Sequence, residues 1–202
     1  ASGAIWKSLL EVSPCFLLAG MGMVASGALL NWTTDNMEVF QVLPALVILV
    51  PALLGLKGNL EMTLGARLGS HANNNELTGQ SFWPIVSSNA MAVQGQAIIV
   101  GAAASVLAIG ENVVTMRVWN PHHALLLAAS SITAASVASL LLSSLMIAIV
   151  VVAARGGVDP DNITAPIAGM LGDFCTLGIV VVVANGFWQI PEDFYAAALT
   201  CL

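Results

Sequence analysis

Pro121 to Ala154 reads PHHALLLAASSITAASVASLLLSSLMIAIVVVAA, with no Asp, Glu, Lys or Arg from end to end. The hydrocarbon core of a bilayer is about 30 Å thick, and a helix needs roughly 20 apolar residues to cross it. This stretch is longer than a straight crossing requires and reads as one transmembrane helix. The rest of the chain agrees. Its 202 residues hold 5 Lys+Arg and 11 Asp+Glu, so 8% are charged, while 58% are hydrophobic and the mean hydropathy is +0.91. A soluble domain carries about 25% charged residues, and this chain has too few to wet a globular surface. The composition excludes an ordinary cytosolic enzyme and a disordered chain. The net charge of −6 excludes a nucleic-acid partner held through its phosphates. The apolar stretches are continuous, unlike the ~10-residue alternating segments of an outer-membrane barrel. The fold class is an all-α integral membrane protein.

Working outward, five transmembrane helices are expected, at about 5–31, 41–69, 85–110, 121–154 and 160–188. Residues 1–202 then form a single transmembrane domain with no cytosolic regulatory domain. The chain starts at Ala1 without Met, which reads as a trimmed, cleaved or tagged start; the first apolar run is too long for a signal peptide. The second span carries Pro44, Pro51, Gly55 and Gly58 and is expected to be a helix broken at Gly/Pro. An N-terminus in the cytoplasm puts Lys7, Arg67 and Arg155 on that side and Arg117 outside, as the positive-inside rule requires. The C-terminus then lies outside, with the acidic pairs Asp35/Glu38 and Glu192/Asp193. The expected location is the cell membrane, multi-pass. Trp32, Trp83, Trp119 and Trp188 fall at predicted helix ends, where indole rings favour the interface. Cys15, Cys175 and Cys201 form no disulfide framework and read as small packing residues.

The fourth span is rich in small and hydroxyl residues between Ala128 and Ser139, as is GMGMVASG from Gly20 to Gly27. Such faces let helices approach closely in lipid, which outweighs the sharper reading of a polar ion track. Asn89, Gln94 and Gln96 on the third span are expected to hydrogen-bond a neighbouring helix rather than hold a ligand. His71, His122 and His123 fall at span ends without the further His or Cys a transition metal needs.

Intramembrane charges are rare and mark function by default. Asp173 follows Pro160 by thirteen residues, ~20 Å along a helix, which places it near the midplane. Gly169 lies one turn earlier, where a carbonyl is little shielded. Carboxylate and carbonyl oxygens are what a hard cation such as Mg²⁺ wants; the bland reading is a hydrogen bond to a hydroxyl on another helix. On the second span Asn59 adds an amide oxygen and Glu61 a carboxylate. Lys57 and Glu61 are four apart and can pair along one face, which competes evenly with a ligand role for Glu61. Lys57 is expected to be paired or turned away from an ion. Asp159 and Asp161 cap the fifth span or attract cations at the cytoplasmic mouth.

VPALLGLKGNLEMTLGARLGSHAN (Val50–Asn73) and DPDNITAPIAGMLGDFCTLGIVVVVA (Asp159–Ala184) closely resemble signatures of solute carrier family 41, relatives of the bacterial MgtE magnesium channels. PCFLLAGMGMVASGALL resembles the first span of that family. The resemblance implies an MgtE-type transmembrane domain of five helices and a Mg²⁺ pathway between two such units, lined by the second and fifth helices. It implies a homodimer, since the eukaryotic carriers hold two units in one chain. It maps the key acid of the fifth helix onto Asp173, its carbonyl partner onto Gly169, and the break of the second helix onto Gly55, Gly58 and Asn59. Lys57 and Glu61 depart from the bacterial pattern and match the eukaryotic first half, which leaves a coupled carrier beside a channel.

The expected function is therefore transport of magnesium, or other divalent cations, with a hydrated ion held by Asp173 at a homodimer interface. Na⁺- or H⁺-coupled exchange is the alternative. More remote are an intramembrane enzyme using Asp173 and Glu61 as an acid–base pair, which lacks a nucleophile constellation, and a scaffold subunit binding through its small-residue faces.

Overall fold

The computed structural model describes residues 2–117, 119–156 and 160–191. Helix α1 spans Ser2–Asn36, short α2 Glu38–Val42, α3 Ala45–Asn73, α4 Phe82–Met116, α5 Pro121–Arg155 and α6 Pro160–Trp188. A 3-10 turn at Gly79–Ser81 leads into α4. Among the described residues, four helical stretches are long and apolar enough to cross a membrane: Ala45–Asn73, Gly79–Thr115, Pro121–Arg155 and Ile167–Trp188.

The helix ends follow local chemistry. Asn120 stands before α5 with extended backbone, and its side-chain oxygen accepts from the backbone N–H groups of His122 and His123 at 3.0 and 3.4 Å. Pro121 fills the first helical position, where its missing N–H costs nothing. Beyond α3, Asn75 adopts a left-handed φ of 59°, a conformation that Asn tolerates better than most residues. His71 Nδ1 and Glu76 Oε2 close that loop at 2.5 Å.

The expected break at Pro51, Gly55 and Gly58 is corrected. Helix α3 runs continuously from Ala45 to Asn73 with Pro51 inside it. The interruption falls earlier, at Leu43–Pro44, between α2 and α3. Leu43 precedes a proline and so avoids the helical region, at φ −122° and ψ 77°. Pro51 arrives after the first turns of α3 are formed. Breaking the helix there would free more carbonyls than the proline itself does, and carbonyls facing lipid find no water.

Helices α3, α4 and α5 pack on one another, α6 packs on α3 and α5, and α1 packs on α6. Two apolar clusters fill the interior. One holds Leu46, Leu49 and Leu53 of α3 with Ala104 and Ala108, Leu126 and Leu127, and Leu177 and Val180. The other holds Leu64 and Leu68 of α3 with Val86 and Val93, Met146 and Val150, and Ala168. Between these levels α3 carries Lys57 and Glu61, and α6 carries Gly172, Asp173 and Thr176. A polar layer thus interrupts the core near mid-helix.

The small residues of the fourth span are packing surface. Ser130, Ser131, Ala134, Ala135, Ala138 and Ser139 are all buried. A Cβ on Gly101 of α4 would lie 3.0 Å from Ile132 Cα and 3.0 Å from Ala135 Cβ. Ser131 Oγ donates to the Gly101 carbonyl at 2.6 Å. Gln94 Nε2 donates to Ser136 Oγ at 2.5 Å, the interhelical bond expected of it. Asn89 departs from expectation and donates within its own helix, to the Ile85 carbonyl at 2.9 Å. Gln96 is exposed. Trp32, Trp83 and Trp119 are exposed near helix ends, and Trp188 closes α6.

Candidate functional site

The centre of the polar layer is an ion pair. Lys57 and Glu61 lie one helical turn apart on α3, so their side chains share a face. Lys57 Nζ donates to Glu61 Oε1 at 2.5 Å, and each residue is 1% exposed. Buried charges persist only when paired, and this pair forms within one helix without help from a second. The other carboxylate oxygen, Glu61 Oε2, lies against α6. A Cβ added to Gly172 would sit 2.8 Å from it, closer than real carbon atoms approach. Gly172 therefore makes room for the carboxylate.

Asp173 is the next residue on α6. It is part-exposed, and it lies near enough to Glu61 for its charge to be felt there. Around Gly169, one turn earlier, a Cβ would meet nothing within 4 Å. That side of α6 is open beside the carboxylate. Thr176, one turn after Gly172, is 1% exposed.

The structure divides the residues singled out on α3 between two faces. Lys57 and Glu61 face inward. Gly55 and Asn59 are exposed, and Gly58 is half-buried with open space where a Cβ would go. The Asn59 carbonyl accepts from Thr63 Oγ1 at 2.7 Å. At about 100° per residue, positions 57 and 59 point to nearly opposite sides, so the inward pair and the Gly55/Asn59 face are separate within one chain. Asp159 lies outside the described residues, as does the side chain of Asp161. No group of three or more His, Cys, Asp or Glu gathers in a metal cage among the described residues. Gly172 stands beside Asp173 in the sequence, but its place against the Glu61 carboxylate is a contact between helices that the sequence does not give.

A buried charge layer among membrane-length helices defines a class, and comparison with known families agrees with it. The model of the MgtE family, described as a divalent cation transporter, matches residues 50–183. The chain belongs to the MgtE divalent cation transporter family, a family of membrane transporters. Within it the chain is similar to rat solute carrier family 41 member 3, with 38% identity over 98% of this chain and 43% of the rat protein. Mouse member 3 is 42% identical over 93% of this chain and 38% of its own length. Human solute carrier family 41 member 2 is 38% identical over 92% of this chain and 32% of its own length. The chain thus spans less than half the length of these relatives. No solved structure matches it.

Proposed function

We propose that this domain carries Mg²⁺ across the membrane through a seam between two five-helix units, lined by α3 and α6, with the hydrated ion held by Asp173. The five spans are α1, α3, α4, α5 and α6. The cell membrane houses the domain, with the N-terminus cytoplasmic and the C-terminus outside. The observation that carries this reading is the contrast between two acids in one layer. Glu61 is buried against Lys57, while Asp173 is part-exposed beside the open backbone at Gly169.

Mg²⁺ sheds water reluctantly and keeps much of its six-fold shell. A carboxylate with an accessible carbonyl nearby suits such an ion, accepting hydrogen bonds from its bound waters. Two Asp173 side chains across a two-fold axis supply two negative charges against the ion's two positive ones. The same symmetry gives the exposed Gly55/Asn59 face an isologous partner, and an exposed amide in a membrane calls for such cover. The partner unit is a second copy of this chain, making a homodimer. Other divalent cations compete for the same oxygen set. Asp159, before α6 in the sequence, and Asp161, in its first turn, attract cations at the cytoplasmic mouth.

The experiment is radiotracer or fluorescent Mg²⁺ uptake into proteoliposomes holding the full chain. Asp173→Asn abolishes uptake while the dimer still assembles; uptake at the parent rate removes the assignment. Repeating the flux with and without Na⁺ and pH gradients separates a channel, which responds to neither, from a coupled exchanger, which responds to one.

A further inference from the structure

Lys57 is the feature that a cation pathway least expects. A bare ammonium in the polar layer repels a divalent ion, and a bare Glu61 in the same place attracts one. Neither is bare. The Lys57 ammonium and the Glu61 carboxylate meet at 2.5 Å, and both residues are 1% exposed. The carboxylate rests where Gly172 has no side chain, next to Asp173. Among the described residues, the titratable side chains at this level of α3 and α6 are Lys57, Glu61, Asp173 and Cys175.

We propose that Lys57 is a tethered counter-ion that sets the charge of the Mg²⁺ pathway: it holds Glu61 against Gly172 and leaves Asp173 as the uncancelled carboxylate of this layer among the described residues of each unit. This rests on Asp173 as the cation-holding group. Each unit then presents a charge of minus one from this layer. A second free carboxylate would hold a hydrated divalent ion too tightly to release it, and conduction requires binding weak enough to leave. Lys57 is a positioning and specificity-setting residue; it touches the acid and not the ion.

The test is a four-member charge series in the full chain: parent, Lys57→Met, Glu61→Gln and the double variant. Per unit the layer carries minus one, minus two, zero and minus one. Mg²⁺ binding is read by calorimetry and by Mg²⁺-dependent thermal stabilisation, beside proteoliposome flux. One unit charge about 10 Å from a divalent ion changes binding roughly fourfold at a water-like dielectric, and over a hundredfold at an effective dielectric near 20. Lys57→Met is expected to bind Mg²⁺ at least about fourfold more tightly than the parent, and Glu61→Gln at least about fourfold more weakly. The double variant returns close to parent affinity and regains the flux that Glu61→Gln loses.

A double variant as weak as Glu61→Gln makes Glu61 a direct ligand and overturns the proposal. Four equal affinities overturn it too, by putting the pair outside the ion's field. If Glu61→Gln fails to fold, Lys57→Met against the double variant decides, since neither leaves a bare cation; equal affinities there refute the counter-ion role. Asp173→Asn measured alongside keeps the two readings apart. Parent-level binding in that variant removes the Asp173 assignment, whereas lost binding with no charge ranking removes only the role given to Lys57.

Discussion

Replacing Gly101 with Ala adds one methyl group at the tightest seam between α4 and α5. That methyl lies 3.0 Å from Ala135 Cβ, 3.0 Å from Ile132 Cα and 3.1 Å from the Ser131 carbonyl oxygen. Carbon atoms sit best about 3.5–4.0 Å apart, so the two helices must part by roughly half an ångström. None of the three atoms ends a flexible side chain. Overpacking of this kind costs about 1–3 kcal/mol. Parting the helices also stretches the buried bond from Ser131 to the Gly101 carbonyl, now 2.6 Å, worth about 1 kcal/mol. Against this, Ala gains up to about 1 kcal/mol over Gly within a helix. The net loss is about 1–3 kcal/mol. At roughly 2–4 °C per kcal/mol for a chain this size, the unfolding temperature falls by several degrees. Tryptophan fluorescence during a thermal ramp in detergent reads it. Gly95→Ala on the same helix is the control, because a methyl there meets nothing within 4 Å and keeps only the helical gain. A Gly101→Ala protein as stable as Gly95→Ala refutes the close-packed seam. A change in ion flux without loss of stability returns the small-residue face to the role of an ion track.

The same ramp tests two further points. Glu61→Gln strands a buried ammonium and costs about 3–5 kcal/mol, whereas Lys57→Met with Glu61→Gln removes both charges and costs far less; equal losses deny that the two groups stabilise one another. Asn120→Ala removes the cap of α5 and costs about 1 kcal/mol, which Asn120→Ser largely restores; an unchanged unfolding temperature shows the cap to be dispensable.

Much of the fold was legible because lipid simplifies the code. A long stretch without charge has few places to go, and the helices containing Val50, Ala104, Ala135 and Val180 lie where hydropathy put them. The position of the break was not legible. Pro44, Pro51, Gly55 and Gly58 all disfavour helix and look equivalent in a string, yet only Pro44 stands where the chain has not yet committed to hydrogen bonds. Asn89 shows the same limit at smaller scale. Its amide satisfies itself on the Ile85 carbonyl, a local choice that spacing does not distinguish from Gln94 reaching Ser136 on α5.

The charged layer divides along the same line between local and tertiary information. The pairing of Lys57 with Glu61 is readable, because residues four apart on a helix always share a face. The lodging of that carboxylate against Gly172 is not, because it depends on the depth at which α3 meets α6. That depth is fixed by the apolar clusters on either side. Leu53 and Leu64 bracket the pair on α3, while Ala168 and Leu177 bracket Gly172 and Asp173 on α6. Sliding α6 by one turn along α3 would bury Asp173 under leucines or bring a side chain onto Glu61 in place of Gly172. The first outcome leaves the Asp173 charge without a partner in an apolar core, and the second presses a side chain onto the Glu61 carboxylate where Gly172 now leaves room. The register of these two helices is therefore set by electrostatics and packing together, and it keeps Asp173 beside an acid that is already neutralised.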